Sequence, residues 1–432
     1  MPLLTIKLLW VLLLIPFILS AKVQIIKKEN HDSNTTLLVI AGIHGNEPGS
    51  YFAASILAKH YTIHSKNLWI VPNLNEKSIQ NNLRGLYGDM NRKFSFLQKN
   101  DKDAKTIKDI KELILSQEVS LVLNLHDGHG FYRKDFQGNI FNPNAWGQTC
   151  VIDQCQLNQN QPFGNLNAIA SQVRDNINKV LLQDHHAFDV RNTKTKFEDE
   201  QMQLSLTYFA VTNNKPAFAI ESSKNLSSLA QKVYYQLLAI ENFMKIMGIE
   251  FTKDFILSEK KIDSLLKDYG FLTINNNILL NLSSLKKSLS YVPIQSKDNN
   301  FTFSHLLGSV KDENGLKYVF IGNKKVTVLK PQYFETDPDC PKEINVEVDD
   351  KPKILHSASY FIAKDNFKIA PKDGIRVNVI GYTSKGVDNE SGIKIHRNSL
   401  MKRYSIDNES ESFRIEFYKN NKFCSMSVVQ FK

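Results

Sequence analysis

Two kinds of hydrophobic pattern divide the chain. From Lys22 to about Gly248, short runs of consecutive apolar residues alternate with stretches where apolar residues recur every three or four positions. TLLVIA (36–41), LWIVPNL (68–74), VSLVLNL (119–125) and AFAI (217–220) are of the first kind. Their β-branched content and near-continuous hydrophobicity predict strands covered on both faces. Stripes of the second kind run through Ile107, Ile110, Leu113 and Ile114, and through Ile169, Val173, Ile177 and Leu181. A longer one joins Leu226, Leu229, Val233, Leu237, Ile240 and Met244. These predict helices, the first capped by Asp101 or Asp103 and the last stopped at Gly248. Strands and helices in alternation predict an α/β domain over residues 22–248, with a largely parallel or mixed sheet flanked by helices. In such sheets sites collect at the carboxyl ends of the strands.

Beyond Gly248 the period changes to two. YVFIG (318–322), KVTVLK (325–330), INVEV (344–348), IRVNVIGY (375–382) and FRIEFY (413–418) alternate between turns rich in Asn, Asp, Gly and Lys. This predicts two small all-β domains, residues 249–340 and 341–432, divided at DPDCP (337–341). The strand count and turn spacing of the second fit an immunoglobulin-like sandwich, although without its tryptophan.

Composition adds little to this outline. With 432 residues, 42% hydrophobic and 23% charged, the chain has room for two or three domains and an enzyme-sized core. A net charge of +10 raises the question of nucleic acid. The lysines are scattered, however, and no RRM, helix-turn-helix or zinc-finger pattern accompanies them, so no nucleic-acid partner is expected. An anionic wall polymer or membrane surface, or simply a solvated lysine-rich exterior, fits better.

The N-terminal stretch changes the picture more. MPLLTIKLLWVLLLIPFILSA has one lysine, Lys7, before an apolar run that ends at Leu19, and then Ser20 and Ala21. That predicts a secretory signal peptide over residues 1–21 and a mature protein outside the cytoplasm. Because alanine is missing at the −3 position, a retained membrane anchor is the alternative. No other segment is long and apolar enough to cross a bilayer. In an oxidising compartment Cys150 and Cys155, closing the loop CVIDQC, are expected to form a disulfide, since no second pair or nearby His completes a zinc site. Cys340 and Cys424 would pair if the last hundred residues form one domain.

Candidate chemistry sits where the strands should end. IAGIHGNEPGS (40–50) places His44 and Glu47 three residues apart in a loop after a buried strand. Alone, an H-x-x-E pair is weak, and a phosphate-binding loop fails for want of its lysine and hydroxyl. LVLNLHDGHGFYR (121–133) brings His126 to the end of another strand, with His129 as a rival ligand or substrate contact. If the strands are neighbours, two His and one carboxylate leave a tetrahedral zinc with an open position for water. NKPAFAIESS (214–223) adds Glu221, which suits a general base, or else a helix N-cap. NLRGLYGDMNRKFSF (82–96) adds Arg84 and the Asn91–Arg92 pair, donors suited to a carboxylate.

This order, H-x-x-E, Asn-Arg, a strand-end His and a strand-end Glu, resembles the zinc carboxypeptidase A superfamily over residues 22–248. The resemblance implies one Zn²⁺ on His44, Glu47 and His126, with Glu221 as general base. It implies Asn91 and Arg92 on the substrate's terminal carboxylate, and Arg84 on the scissile carbonyl and its oxyanion. The superfamily's mobile tyrosine has no secure counterpart; Tyr208, in LSLTYFAVTN (204–213), is the candidate lining residue. More narrowly, GDMNRKF, LHDGHGFYR, AIESS, the signal peptide and the trailing β domains are similar to the periplasmic cell-shape-determining murein DL-carboxypeptidases of helical and curved Gram-negative bacteria. Those enzymes release meso-diaminopimelate from tripeptide stems. Some have glutamine at the first ligand position; His44 here favours a full zinc site. Peptidoglycan muropeptides would then be the partner, with other cell-shape proteins alongside. Aspartoacylases and succinylglutamate desuccinylases resemble the same residues, but the signal peptide and extra β domains argue against them. A silent wall-binding scaffold is the third reading, and it need not keep every ligand and the base.

Overall fold

The computed structural model describes residues 23–30, 33–157 and 161–432. The predicted signal peptide lies outside them, and among the described residues no helix is long and apolar enough to cross a membrane.

Seven strands form the central sheet: β1 (Ile26–Lys28), β2 (Thr36–Ile40), β3 (Asn67–Val71), β4 (Val119–Gly128), β5 (Thr149–Ile152), β6 (Asp189–Asn192) and β7 (Ala217–Ser223). Their order is β1-β3-β2-β4-β7-β5-β6. β3, β2, β4 and β7 run parallel, whereas β1 is antiparallel to β3 and β5 is antiparallel to β7. The sheet is therefore mixed. β2 and β3 are buried at every position, as their unbroken apolar runs require.

Helices α1 (Pro48–His60), α2 (Ala104–Leu115), α3 (Leu166–Ile177) and α4 (Leu229–Ile246) flank the sheet. α1 and α3 both pack on α4. α2 buries Ile107, Ile110 and Ile114 and lies beside the short helix Leu206–Thr212, with Lys111 over the Phe209 ring. The N-cap of α2 is Asp103 and that of α4 is Ser228, whose hydroxyl accepts from Gln231 N–H. Glu221 accordingly caps no helix. The connection from β2 through α1 leads outward to β3, while β4 lies on the other side of β2. The order thus reverses between β2 and β4, and a crevice opens at the carboxyl ends of these strands.

Past Gly248 the chain is mostly β. A four-stranded sheet has the order Ser288–Ile294, Lys324–Tyr333, Leu316–Ile321, Gly308–Glu313. The last strand, Lys422–Phe431, pairs with Ser412–Lys419 and Tyr360–Ala363, and also, at Met426, with Ile278 of the strand Ile278–Asn281. A second four-stranded sheet, with Glu343–Val348 and Asn366–Ile369 at its centre, covers that layer. Val346, Phe367, Val377, Ile415 and Phe417 fill the space between the layers. The C-terminal part is thus a two-layer sandwich that shares a sheet with the segment before residue 340.

Cys340 and Cys424 form a disulfide. The predicted Cys150–Cys155 disulfide does not exist: both thiols are free. Cys150 is fully buried within β5, in register with Ile220 on one side and Val190 on the other. The extended strand carries the chain onward for two more residues before the turn, and Cys155 emerges exposed, accepting from Asn192 Nδ2 at 3.1 Å. Short spacing in sequence does not bring two thiols together when a strand separates them.

Candidate active site

The three central strands deliver the site. β4 lies between β2 and β7, parallel to both, and Glu221 of β7 is in register with His126 of β4. His44 and Glu47 arrive on the turn that joins β2 to α1. That turn is tight. A Cβ on Gly45 would meet Ser78 O at 2.1 Å, and one on Gly49 would meet Asp127 Oδ1 at 2.4 Å. Pro48 opens α1, where a missing N–H costs nothing. Tyr51 O–H donates to Gly45 O at 3.2 Å and ties the first turn of the helix back to the loop.

His44, Glu47 and His126 are each at least 97% buried, and their ligand atoms all lie within 4.8 Å of one another. His44 Nδ1 faces Glu47 Oε1 at 3.0 Å, and His126 Nδ1 faces Glu47 Oε2 at 2.9 Å. On its other nitrogen, His44 Nε2 meets Asp89 Oδ1 at 2.8 Å, which directs the Nδ1 lone pair into the site. His44 is thus held between two carboxylates, a place that calls for positive charge. Burial pulls its pKa down, yet Glu47 and Asp89 outweigh this and raise it. Burial would raise Glu47, but the two imidazoles hold it well below the usual carboxylate range. Two imidazoles and a carboxylate converging on one point fit a zinc ion with an open coordination position. His44, Glu47 and His126 are the residues that would hold it.

Around them lies a cavity of ≈ 240 Å³. Glu221 reaches into it, and its carboxylate receives no hydrogen bond from any described residue. Its pKa is raised well above the ordinary value, first by burial and then by Glu47 and Asp127, with Arg84 and Lys224 opposing. Arg84 Nε donates to Asp89 Oδ2 at 2.9 Å, and its Nη1 lies 3.3 Å from Glu47 Oε1. Asn91 is buried, and its amide oxygen accepts from Leu206 N–H at 3.0 Å, so Nδ2 is left to donate. Arg92 Nη1 donates to Asn91 O and Nη2 lies 3.6 Å from Met202 Sδ. Among the described residues no carboxylate pairs with Arg92. His129 lines the cavity as an exposed residue.

Tyr208 does not line it. Thr207 takes that place, and Tyr208 packs against the hydrophobic core. One step along a helix turns a side chain by about 100°, and here that step points Thr207 into the cavity and Tyr208 into the core.

Sequence reasoning also missed residues. Asp89 binds His44, Arg84 and Asn91 N–H together, and Asp127, Trp146, Met202 and Lys224 are among the residues that line the cavity. Asp89 stands two places before Asn91 within GDMNRKF, which is its one visible signal. Asp127 accepts from Gly49 N–H and Ser222 O–H, and burial pushes its pKa up to about 6.

Comparison with known proteins agrees with this geometry. Residues 3–267 match a family model described as carboxypeptidase controlling helical cell shape, catalytic, and residues 338–432 match the C-terminal domain of metallo-carboxypeptidase. The chain is similar to apo Csd4, a cell shape determinant protein of Helicobacter pylori, at 35% identity and a TM-score of 0.89, covering 95% of this chain and 100% of that one. A glutamine-to-histidine variant of Csd4 matches at 36% identity and 0.88, with coverage of 95% and 100%. The mDAP-bound form of Csd4, a D,L-carboxypeptidase, matches at 35% and 0.89, with coverage of 94% and 100%. No curated protein matches the chain.

Proposed function

Since the chain belongs to the family of carboxypeptidases controlling helical cell shape, we propose that it is a zinc-dependent murein DL-carboxypeptidase. It hydrolyses the bond between γ-D-glutamate and the L-centre of meso-diaminopimelate in tripeptide stems and leaves dipeptides. The observation that carries this reading is the register that sets Glu221 beside His126 on adjacent parallel strands, in a cavity that His44 and Glu47 also line. The related Csd4 has been solved with a tripeptide and with mDAP bound, which supports the substrate.

Zinc held by the three ligands would polarise a carbonyl oxygen and make a bound water more acidic. Glu221 takes the proton of the attacking water and hands it to the leaving amine. Its raised proton affinity suits it to both transfers. Arg84, held by Asp89, offers a cation to the oxyanion that develops on the scissile carbonyl. Asn91 Nδ2 and the Arg92 guanidinium hold the terminal carboxylate, which fixes where the chain is cut. Export to the periplasm through residues 1–21 belongs to the same reading. The hydrophobic run of that segment and the Cys340–Cys424 disulfide support it.

The test is incubation of the mature, zinc-loaded protein with murein fragments, followed by mass spectrometry. Diaminopimelate should leave tripeptides and not tetrapeptides. Intact tripeptides after prolonged incubation would refute the reading.

A further inference from the structure

Lys224 lines the cavity three residues beyond Glu221, and no step of the reaction above uses it. Its backbone N–H donates to Gly128 O at 2.7 Å, which fixes the loop to the end of β4. Its side chain is 34% exposed and turns back over the site, so that Nζ lies 3.5 Å from Glu47 Oε1. That oxygen belongs to the ligand set. When a divalent cation is bound by His44, Glu47 and His126, the carboxylate is committed to it and the ammonium is repelled. Lys224 is then free to meet another anion at the mouth of the site.

The other cations of the cavity already have roles in the reading above. Arg84 is paired with Asp89, and Arg92 lies beside Asn91 in the clamp for the terminal carboxylate. Lys224 shares no partner with that clamp, whose contacts run to Leu206, Met202 and Asp89. A substrate that fits these charges carries a second carboxylate near the scissile bond, apart from its C-terminal one. An α-linked peptide with a neutral residue before the cut bond lacks this. A γ-linked glutamate has it, because the linkage leaves the α-carboxylate free on the residue before the cut bond.

We propose that Lys224 binds that α-carboxylate and is a specificity-determining residue for γ-linked acidic residues. The inference rests on the murein reading given above. Since the carboxylate takes no part in bond breaking, the contact is equally strong in the ground and transition states and acts chiefly on KM.

The test uses zinc-loaded wild type, Lys224→Met and Lys224→Arg with two tripeptides, one with the D-glutamyl α-carboxylate free and one with it amidated. Equal zinc content in the three proteins excludes an effect through the ligands. Amidation should lower kcat/KM of the wild type by about tenfold, mainly through KM, as expected for loss of one charge-assisted contact. It should leave kcat/KM of Lys224→Met unaltered, and Lys224→Arg should keep the sensitivity. If amidation costs Lys224→Met as much as wild type, or costs the wild type nothing, the Lys224 assignment is wrong while the murein reading stands. If the wild type cleaves neither tripeptide, the murein reading fails and this inference with it.

Discussion

Asp89 holds three working parts of the site, so its removal should be felt in three measurements. Oδ1 meets His44 Nε2 at 2.8 Å and accepts from Asn91 N–H at 2.9 Å, while Oδ2 accepts from Arg84 Nε at 2.9 Å. In the mechanism proposed above, Asp89→Ala would untie the first ligand, the carboxylate clamp and the oxyanion cation together. Loss of a carboxylate behind a ligating histidine typically costs ten- to a hundredfold in metal affinity, or about 1.4–2.7 kcal/mol. The Arg84 bond is partly solvated, with 46% and 23% of the two side chains exposed, so it adds no more than about 1 kcal/mol. Asp89 also caps the turn Met90–Arg92, worth roughly 1 kcal/mol of stability. Zinc affinity should therefore fall by about tenfold or more in a chelator competition at fixed pH. Thermal stability should drop modestly, and KM should rise as the clamp loosens. Asp89→Asn, which keeps an acceptor but not the charge, should fall between Asp89→Ala and wild type. Zinc affinity of Asp89→Ala within twofold of wild type, or a KM unchanged, would refute the assignment of Asp89 as the common anchor.

Glu221→Gln should retain zinc and lose about two to four orders of magnitude in kcat, whereas His126→Ala should lose both metal and turnover. Near-normal activity in Glu221→Gln would remove Glu221 as the base. The base works ionised and its pKa is raised, so kcat/KM should climb with pH through a limb above the ordinary glutamate value of about 4.3. A limb at or below that value would contradict the assignment. The same shift means that the folded state binds the proton more tightly, so Glu221 costs stability as pH rises through the window between its unfolded and folded pKa. Glu221→Gln should then be more stable than wild type at neutral pH in thermal scans, and a less stable variant would count against this. Thiol titration should find Cys155 reactive in the native protein and Cys150 only after unfolding. Reduction of Cys340–Cys424 should cost about 2–4 kcal/mol in denaturant titrations.

The parts of the site that could be read from sequence are those placed by single strands. His126 and Glu221 directly follow an apolar run, His44 and Glu47 sit in the turn just after one, and a parallel sheet turns these local facts into a shared location. Asp89 and Lys224 escaped because contacts made across the chain define their roles. Asp89 reaches His44 across 45 positions, and no periodicity records such a pair. Helix α1 was equally hidden. Ten of its thirteen residues are buried, so PGSYFAASILAKH has no polar face to make a stripe visible. β5 has four residues and β6 four more, too few to show a period, and with no strand visible in CVIDQC its two cysteines look like neighbours in a loop.

The β region shows a different limit. Alternation at period two tells which face of a strand is buried, but says nothing about which strand lies beside it. The turn at DPDCP is real, since Cys340 is tied there to Cys424, yet the sheet does not stop at it. Met426 pairs with Ile278, and Ile406, Tyr418, Met426 and Val428 belong to the same continuous core as the catalytic sheet. Val429 and Phe431, on the same strand as Met426 and Val428, face the separate core of the sandwich. A strand whose two faces serve two cores carries load between them. The last strand, Lys422–Phe431, therefore joins the C-terminal layer to the body that bears the site, and the C-terminal domain that begins near residue 338 shares a sheet with the segment before it.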